Sequence, residues 1–416
     1  MARNYELVSA DAHLETRPDW VERLPEDLKP LAPRIVEVEN GGQGWAMGDD
    51  EPIPLGLAAT GGQKYTEFVP RGRRFDEGIP GTGGPEQRIS EQDKDGVDGE
   101  VLFSSVATTA LRKSADNTRA VVEFAKAYNN WVSDYCSHAP DRLFGIALMP
   151  MSSTDDAVAE LRRVRELPGI RGTQLLQFPS GEKWLTPHDE PFWATAEELG
   201  MTVVAHHNFG GVGQSHALAG LQKTKSIDVE GSADFSQFVW LLTTDLQIPT
   251  LPIVTLLQLM VGGVLDRYPG LKLHFAETGI GWLPYWLEQM EDRYDRHRFW
   301  SGVQLERRPA DYVRSHFTFS FQEDRTGVKA RDDIGVGSIC WASDFPHSVS
   351  DWPWSRENVA RQMAGVPDVD RRRIQGLNIL VQLGVLSSAE ADELATKPLE
   401  RADPDIVPAR GERRVA

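Results

Sequence analysis

Composition limits the classes of protein to which this chain can belong. Its 416 residues are 40% hydrophobic and carry a formal net charge of -18 at pH 7. This charge disfavours binding to nucleic acid or to anionic membranes, because both need a basic protein surface. The two cysteines, Cys136 and Cys340, cannot build a disulfide framework and lack the spacing of a structural zinc site. Because the first residues contain no apolar signal core, we expect a soluble cytoplasmic protein with reduced thiols.

Short apolar runs of strand character recur along the chain and are mostly separated by amphipathic, helix-like segments. The predicted strands are residues 7–13, 100–105, 143–150, 170–177, 202–207, 272–277, 317–321 and 338–346. Eight strands that alternate with helices favour parallel pairing. We therefore predict an α/β fold, a distorted (β/α)8 TIM barrel. A doubly wound open sheet is the alternative, but no glycine-rich dinucleotide motif follows the first strand.

Two regions interrupt this alternation and predict long insertions after strands 1 and 5. Residues 35–95 are rich in glycine, proline and charge, and residues 208–250 form the second insertion. Loops of this length inside a compact fold are lids, substrate-binding elements or disordered segments. We predict one barrel domain over residues 1–390 and a flexible tail over residues 395–416, where apolar residues are few.

Side chains that can bind a metal follow four of the predicted strands. In chain order they are Asp11 and His13, His206 and His207, Glu277, and Asp344. In a parallel barrel these strand ends meet on one face. Carboxylates and imidazoles that converge there repel one another or lose hydration unless a cation compensates. The pattern predicts one divalent ion, with zinc the first choice and manganese or iron the alternatives where oxygen donors dominate.

Four stretches carry a resemblance to a known family. They are SADAHLE, TVVAHH, RYPGLKLHFAETGIGWLPYWLEQMEDRYDR and WASDFPHSVSDWP. They resemble the amidohydrolase-related family whose namesake is aminocarboxymuconate-semialdehyde decarboxylase, which also includes the γ-resorcylate and 5-carboxyvanillate decarboxylases. The likeness runs from residue 7 to about residue 385. The resemblance implies a single divalent ion in a distorted (β/α)8 barrel, and a homodimer.

The resemblance also implies roles for individual residues. Asp11 and His13 match the metal-binding pair of the first strand, and His206 matches the ligand of the fifth strand. His207 is the alternative fifth-strand ligand, because a register slip of one residue would exchange the faces of the two histidines. Asp344 matches the acid of the last strand, which both contacts the metal and transfers protons.

Glu277 departs from the family pattern. The named decarboxylases carry a histidine on strand six, which orients or deprotonates the metal-bound water, whereas this chain has FAETG there. Glutamate can act as a general base if burial raises its pKa towards neutrality. It cannot donate a hydrogen bond to a substrate carboxylate as an imidazolium does. A helix-capping role is the structural alternative.

Further side chains are candidates for substrate contacts. Arg71 and Arg74 belong to the basic run VPRGRRF in the first insertion, and arginine binds carboxylates through paired hydrogen bonds. His207 and His347 lie next to the predicted ligands. A solvated loop is the alternative for the arginines, and a loop histidine with satisfied hydrogen bonds is the alternative for His347.

Three functions fit such a site. In a non-oxidative decarboxylase of an aromatic or enoic carboxylic acid, Asp344 would protonate the substrate carbon, with His206 and Glu277 as the other catalytic candidates. In a hydrolase of a C–N, C=N or lactone bond, Glu277 or Asp344 would deprotonate metal-activated water. The third function is a non-catalytic binding barrel. The resemblance favours decarboxylation of a small carboxylic acid, and Glu277 favours hydrolysis.

Overall fold

A computed structural model describes residues 3–38, 41–69, 71–210 and 251–399. The strands are β1 (Val8–His13), β2 (Arg34–Glu37), β3 (Gln43–Ala46), β4 (Ile53–Pro54), β5 (Gly99–Phe103), β6 (Leu143–Leu148), β7 (Ile170–Gln174), β8 (Thr202–His206), β9 (Leu273–Ala276), β10 (Phe317–Phe321) and β11 (Ile339–Trp341). One sheet has eight parallel strands in the order β1, β5, β6, β7, β8, β9, β10, β11. The predicted (β/α)8 barrel is confirmed, and each predicted strand overlaps an observed one.

Helices connect the strands and cover the outside of the barrel. The α-helices are Pro85–Asp95, Ser105–Lys113, Thr118–Cys136, Thr154–Arg165, Glu190–Leu199, Pro252–Val261, Val264–Arg267, Leu283–Ser301, Pro309–His316, Arg325–Lys329, Arg331–Ile334, Ser355–Gln362, Asp368–Arg372, Asn378–Gln382 and Ser388–Ala395. Their sequences show the amphipathic spacing of core-facing helices: Phe124, Tyr128 and Val132 recur every four residues and are all buried. These three residues lie on helix Thr118–Cys136. Asn117 caps the N-terminus of this helix, because its side chain accepts a hydrogen bond from the backbone N–H of Ala120.

The barrel closes between β11 and β1. The backbone N–H of His13 donates to Phe345 O at 2.7 Å, and the N–H of Asp344 donates to Asp11 O at 2.9 Å. Arg88, a buried residue of helix Pro85–Asp95, holds the same junction: it donates to His13 O and Phe345 O. A single side chain therefore fixes the ends of both strands that complete the barrel.

The C-terminal helices close the opposite end of the barrel. Gln382 donates to Leu273 O at 2.7 Å, and Asn378 donates to Ile339 O at 2.8 Å. Both carbonyls belong to the first residues of barrel strands. Leu377 and Leu380 pack beneath the apolar barrel interior. The amino ends of the strands are thus covered, and the carboxyl ends are left as the face where a site can form.

The first insertion is partly folded. β2, β3 and β4 form a small antiparallel sheet within it. The loop that follows this sheet packs on the segment after β11: the N–H of Thr60 donates to Pro346 O at 2.9 Å, and that of Gly62 donates to Trp352 O at 3.0 Å. The first insertion therefore lies beside the barrel closure.

Most of the second insertion and of the tail lies outside the described residues, namely 211–250 and 400–416. Within the described ranges, no helix has both the length and the apolar character needed to cross a bilayer. The domain boundaries inferred from the sequence remain a prediction.

Candidate metal centre

A local irregularity in β1 directs two polar side chains into the barrel. Val8 and Ala10 pack with interior side chains of other strands, so strict alternation would turn Asp11 outwards. The pairing of β1 with β5 shifts register between Ser9 and Ala12. Such a bulge exchanges the two faces of a strand, and Asp11 and His13 both point inwards as a result. Ser9 stabilises the irregularity by donating its hydroxyl to Asp11 O at 2.7 Å.

Three other strand ends complete the cluster. His206 ends β8, Glu277 follows β9 and Asp344 follows β11. His13 Nε2 lies 3.5 Å from Asp11 Oδ1, 3.1 Å from Asp344 Oδ1 and 3.1 Å from His206 Nε2. His206 Nε2 lies 3.6 Å from Asp11 Oδ2 and 3.4 Å from Glu277 Oε2. The ligand atoms of Asp11, His13, His206 and Glu277 all lie within 4.8 Å of one another.

The donor set fits a divalent cation. Asp11 and Asp344 are buried, and neither carboxylate oxygen of Asp11 accepts a hydrogen bond from any of the described residues, whereas Asp344 contacts the imidazoles of His13 and His347. Buried anionic oxygens without donors are strongly unfavourable unless a positive charge faces them. Two imidazole nitrogens adjoin these oxygens. Carboxylate and imidazole groups in this proportion suit zinc and manganese.

Electrostatics within the cluster lead to the same conclusion. Burial, and then the negative charges of Asp344 and Glu277, raise the pKa of Asp11 well above its ordinary value. Burial, and then the neighbouring imidazoles of His207 and His13, lower the pKa of His206 well below its ordinary value. Both shifts disfavour the charged form of the group, and a bound divalent ion would favour the charged form of Asp11 instead.

Three residues of the site have a left-handed backbone. Among the described residues other than glycine, only His207, Glu277 and Asp344 have positive φ, with values of 64°, 57° and 51°. Each follows the last residue of a barrel strand or lies shortly beyond it. The left-handed region costs a residue with a Cβ about 1–2 kcal/mol. Strain concentrated at three strand ends on one face is typical of a functional site.

A second set of contacts holds the ligands in place. His347 Nδ1 lies 3.3 Å from Asp344 Oδ1, and its Nε2 lies 3.2 Å from Glu15 Oε1. Its ring stacks on that of His13 at 3.9 Å between centroids. Burial alone would lower the pKa of His347, but the charge of Asp344 and hydrogen bonds to both acids raise it well above its ordinary value. His347 therefore links Asp344 to the buried carboxylate of Glu15.

His207 lies beside the cluster and contacts Glu277. Its Nε2 is 2.8 Å from Glu277 Oε2, so the glutamate that replaces the family's strand-six histidine has an imidazole as its partner. His206, whose Nε2 lies against His13, is the histidine of this pair that joins the metal cluster.

A cavity of about 250 Å³ opens onto the cluster. His13, His206 and His207 form part of its lining, and Phe103 contributes an aromatic ring whose centroid lies 5.2 Å from that of His206. This volume accommodates a small-molecule substrate with a single ring.

The arginines of the first insertion lie elsewhere. Arg74 donates to Glu37 Oε2 at 2.7 Å and to Asp76 Oδ1 at 3.2 Å, and neither it nor Arg71 lines the cavity. His347 also lies outside the lining, behind Asp344. The geometry therefore gives no support to substrate contacts by these three residues.

Sequence reasoning missed three residues near the site. Glu15 was within the motif SADAHLE, two positions after His13, and could have been found by the same alternation that pairs Asp11 with His13. Ser105 Oγ lies 3.3 Å from His13 Nδ1, and Arg112 lines the cavity. These two lie on a helix after β5 whose orientation the sequence pattern did not reveal.

The fold and the cluster define a class of protein. Eight parallel strands carry carboxylates and imidazoles at their carboxyl ends, in an arrangement that fits a divalent metal ion. The chain is a (β/α)8 barrel with a candidate metal centre at its active-site face.

The family follows from comparison with known proteins. The family model described as Amidohydrolase matches residues 69–380, and the chain belongs to this family. It is similar to the gamma-resorcylate decarboxylase of Polaromonas sp. strain JS666, with 25% identity over 303 residues that cover 70% of this chain and 84% of that protein.

Solved structures share the fold. An amidohydrolase from Mycobacterium avium subsp. paratuberculosis K-10 superposes with a TM-score of 0.69 at 18% identity, covering 93% of this chain and 100% of that one. A dihydroxybenzoic acid decarboxylase from Polaromonas sp. JS666, solved with bound manganese and the inhibitor 2-nitroresorcinol, superposes with a TM-score of 0.58 at 18% identity, covering 93% and 99%.

Proposed function

We propose that this protein is a metal-dependent decarboxylase of a small aromatic or enoic carboxylic acid. The observation that carries the proposal is the convergence of Asp11, His13, His206, Glu277 and Asp344 at a cavity large enough for one ring. The similarity to a gamma-resorcylate decarboxylase over most of that protein's length supports the same reaction.

Five residues of the cluster would hold the divalent ion. The ligand atoms of Asp11, His13, His206 and Glu277 lie within 4.8 Å of one another, and Asp344 joins this group through its contact with His13 at 3.1 Å. When bound, the ion would supply the positive charge that orients a substrate carboxylate and its neighbouring oxygen.

Asp344 would deliver the proton that replaces the departing carboxyl group. The ring carbon that bears the carboxylate would take a proton from the Asp344 carboxyl group. The bond between that carbon and the carboxylate then breaks, its electron pair stays with the ring, and the carboxylate leaves as carbon dioxide. The imidazole of His347, whose Nδ1 lies 3.3 Å from Asp344 Oδ1, is placed to return a proton to that oxygen. Glu15, 3.2 Å from His347 Nε2, would keep the imidazole in this orientation.

Hydrolysis is the second candidate, and Glu277 is the residue that separates it from decarboxylation. As a hydrolytic base, Glu277 would need an oxygen free to accept a proton from water. Its Oε2 lies 2.8 Å from His207 Nε2, and a carboxylate engaged through one oxygen keeps a second oxygen that can accept a proton. This pair favours decarboxylation, because it supplies a histidine near the cluster where Glu277 alone could not donate a hydrogen bond to the substrate.

The test is carbon dioxide release by metal-loaded protein. We expect about one equivalent of metal per chain, turnover of at least one acid in a panel of hydroxybenzoates, and no hydrolysis of a panel of lactones and amides. Asp344→Asn should lower kcat by about 10²-fold or more, because the proton donor is lost. Asp332→Asn, at an exposed position on a short helix, is the matched control and should leave kcat unchanged.

Two results would contradict the proposal. One is a metal-loaded protein that releases carbon dioxide from no acid but hydrolyses a lactone or amide in a Glu277-dependent manner. The other is a chain that binds no metal after supplementation, which would favour a binding barrel.

Metal identity, assembly and location belong to the same proposal. Zinc is the ion expected from the histidine ligands, and manganese is the alternative because the related Polaromonas protein binds it. A homodimer is supported by Tyr285, Phe299 and Trp300, which are 70%, 73% and 76% exposed on one helix. Sedimentation of the purified chain would measure its mass. A cytoplasmic location remains a prediction from the sequence.

A further inference from the structure

One helix contributes a polar face to the cavity that the proposed reaction does not use. Helix Ser105–Lys113 follows β5, and Ser105, Thr108, Thr109 and Arg112 all line the cavity. Their spacing of three, four and seven residues places them on one side of the helix. The helix begins at a fixed point, since the Ser104 hydroxyl accepts a hydrogen bond from the N–H of Ala107.

Arg112 is a cation directed to this cavity without a protein partner. Within the described ranges, no hydrogen bond or ion pair engages its guanidinium. The neighbouring Lys113 is different, because its Nζ contacts Asp50 Oδ2 at 2.5 Å. Arg112 is solvent-accessible, yet protein surrounds it closely enough for desolvation to lower its pKa. An arginine remains protonated at neutral pH even so.

Arg112 faces the same cavity as the candidate metal ligands. The lining of this cavity includes Arg112 together with His13 and His206. The guanidinium and the cluster therefore act on the same volume. Among the residues that the structure describes, those that line this volume carry hydroxyl groups, imidazoles and an amide, but no carboxylate. An anion beside Arg112 would therefore meet a favourable charge at that side of the cavity.

We propose that Arg112, with the hydroxyls of Thr108 and Thr109, binds an anionic substituent of the substrate other than the group held at the metal cluster. The favoured substrates are then acids that carry a second carboxylate on the same small framework. Arginine suits this task because its planar fork forms two parallel hydrogen bonds with a carboxylate. The inference rests on the proposed function for the identity of the departing group, but not for the binding step.

The experiment compares Arg112→Met, Arg112→Lys and Lys113→Met in the metal-loaded full chain. Isophthalate, with two carboxylates, and benzoate, with one, serve as binding probes in titration calorimetry. We expect Arg112→Met to weaken isophthalate binding about 10- to 100-fold, because a charge-assisted hydrogen bond to a carboxylate is lost. Benzoate binding should change by less than about twofold, and Arg112→Lys should restore part of the isophthalate affinity.

Lys113→Met is the matched control, since it removes a cation from the adjacent position of the same helix, where the side chain pairs with Asp50. It should leave both affinities unchanged. Equal losses for isophthalate and benzoate in Arg112→Met, or no loss for either, would overturn the inference.

Turnover separates this inference from the proposed function. One result would support both the proposed function and the Arg112 site. In it, the wild-type chain decarboxylates acids, and Arg112→Met lowers kcat/KM selectively for acids with a second carboxylate. If no acid reacts, the proposed function fails, while the selective loss of isophthalate binding still supports the Arg112 site. If monocarboxylic acids react and Arg112→Met shows no selectivity, the Arg112 site fails alone.

Discussion

At the scale of single residues, Asp11 is a buried carboxylate that needs a nearby positive charge. It is fully buried, neither carboxylate oxygen has a hydrogen-bond donor among the described residues, and two further acids face it. Alternation along β1 was enough to predict that Asp11 and His13 act together. It was not enough to predict the register shift that turns both inwards, because that shift depends on pairing with β5.

Asp95 provides a test of buried charge far from the metal cluster. Its two oxygens accept hydrogen bonds from the backbone N–H and the hydroxyl of Ser355, at 2.9 and 2.6 Å. Burial outweighs these hydrogen bonds and raises its pKa to about 7. An unfolded aspartate has a pKa of about 3.9, so the folded state binds the proton more tightly. This contribution to stability is complete below about pH 4, is lost as the pH rises through about 7, and is constant above that.

We therefore expect Asp95→Asn to remove this pH dependence. The thermal midpoint of the variant relative to wild type should rise by at least about 2 °C between pH 5 and pH 8. Differential scanning fluorimetry at matched ionic strength measures this difference, with Asp332→Asn as the exposed control. A difference that stays constant over this range would show that Asp95 is ionised in the folded protein at pH 5.

At the scale of elements, the strands were predictable and their ends were not. All eight barrel strands follow from apolar runs that alternate with helical periodicity. The last predicted strand, 338–346, is too long, because β11 ends at Trp341 and the chain turns into the left-handed residue Asp344. The helix that carries Arg112 lies after β5, and its contact with the cavity depends on packing that no local pattern encodes.

Arg88 connects helix Pro85–Asp95 to the barrel closure. It is 1% exposed, donates to Glu100 Oε2 at 2.6 Å, and holds the carbonyls of His13 and Phe345. We expect Arg88→Met to cost about 3–5 kcal/mol of unfolding free energy, because Glu100 is left buried without its partner. The double variant Arg88→Met/Glu100→Met should recover part of this loss.

The exposed pair Arg119–Asp27 provides the control for this measurement. Arg119→Met should change stability by about 1 kcal/mol or less, because surface ion pairs contribute little. Urea unfolding monitored by tryptophan fluorescence gives both values. Equal effects of Arg88→Met and Arg119→Met would mean that Arg88 does not hold the closure.

At the scale of the whole molecule, the C-terminal helices cover one end of the barrel, and the candidate metal ligands and the cavity lie at the other end. The C-terminal helices satisfy strand carbonyls at the amino ends, whereas the buried carboxylate of Asp11 at the carboxyl ends has no hydrogen-bond donor among the described residues. The sequence placed the metal candidates correctly on one face, because parallel strands put all carboxyl ends together. It could not reveal which end the C-terminal helices cover.

We expect metal removal to destabilise the entire chain. Binding to the folded state alone stabilises it by about 2.7 kcal/mol when free metal is 100 times its dissociation constant. Dialysis against a chelator should therefore lower the thermal midpoint, and added manganese or zinc should restore it. In the variant Asp11→Asn, which removes one predicted ligand, the restoration should be smaller. A midpoint that does not respond to the metal in the wild-type chain would contradict a structural contribution of the ion.

The left-handed backbone at His207, Glu277 and Asp344 creates a conflict for anyone who engineers this protein. Glycine or asparagine would relieve the backbone strain at these positions, so a screen for thermal stability alone would select variants in which these residues are replaced. The same replacements would discard the groups that face the metal and the cavity. Improvement of this catalyst therefore requires selection for turnover and durability together, with stabilising changes sought elsewhere in the barrel.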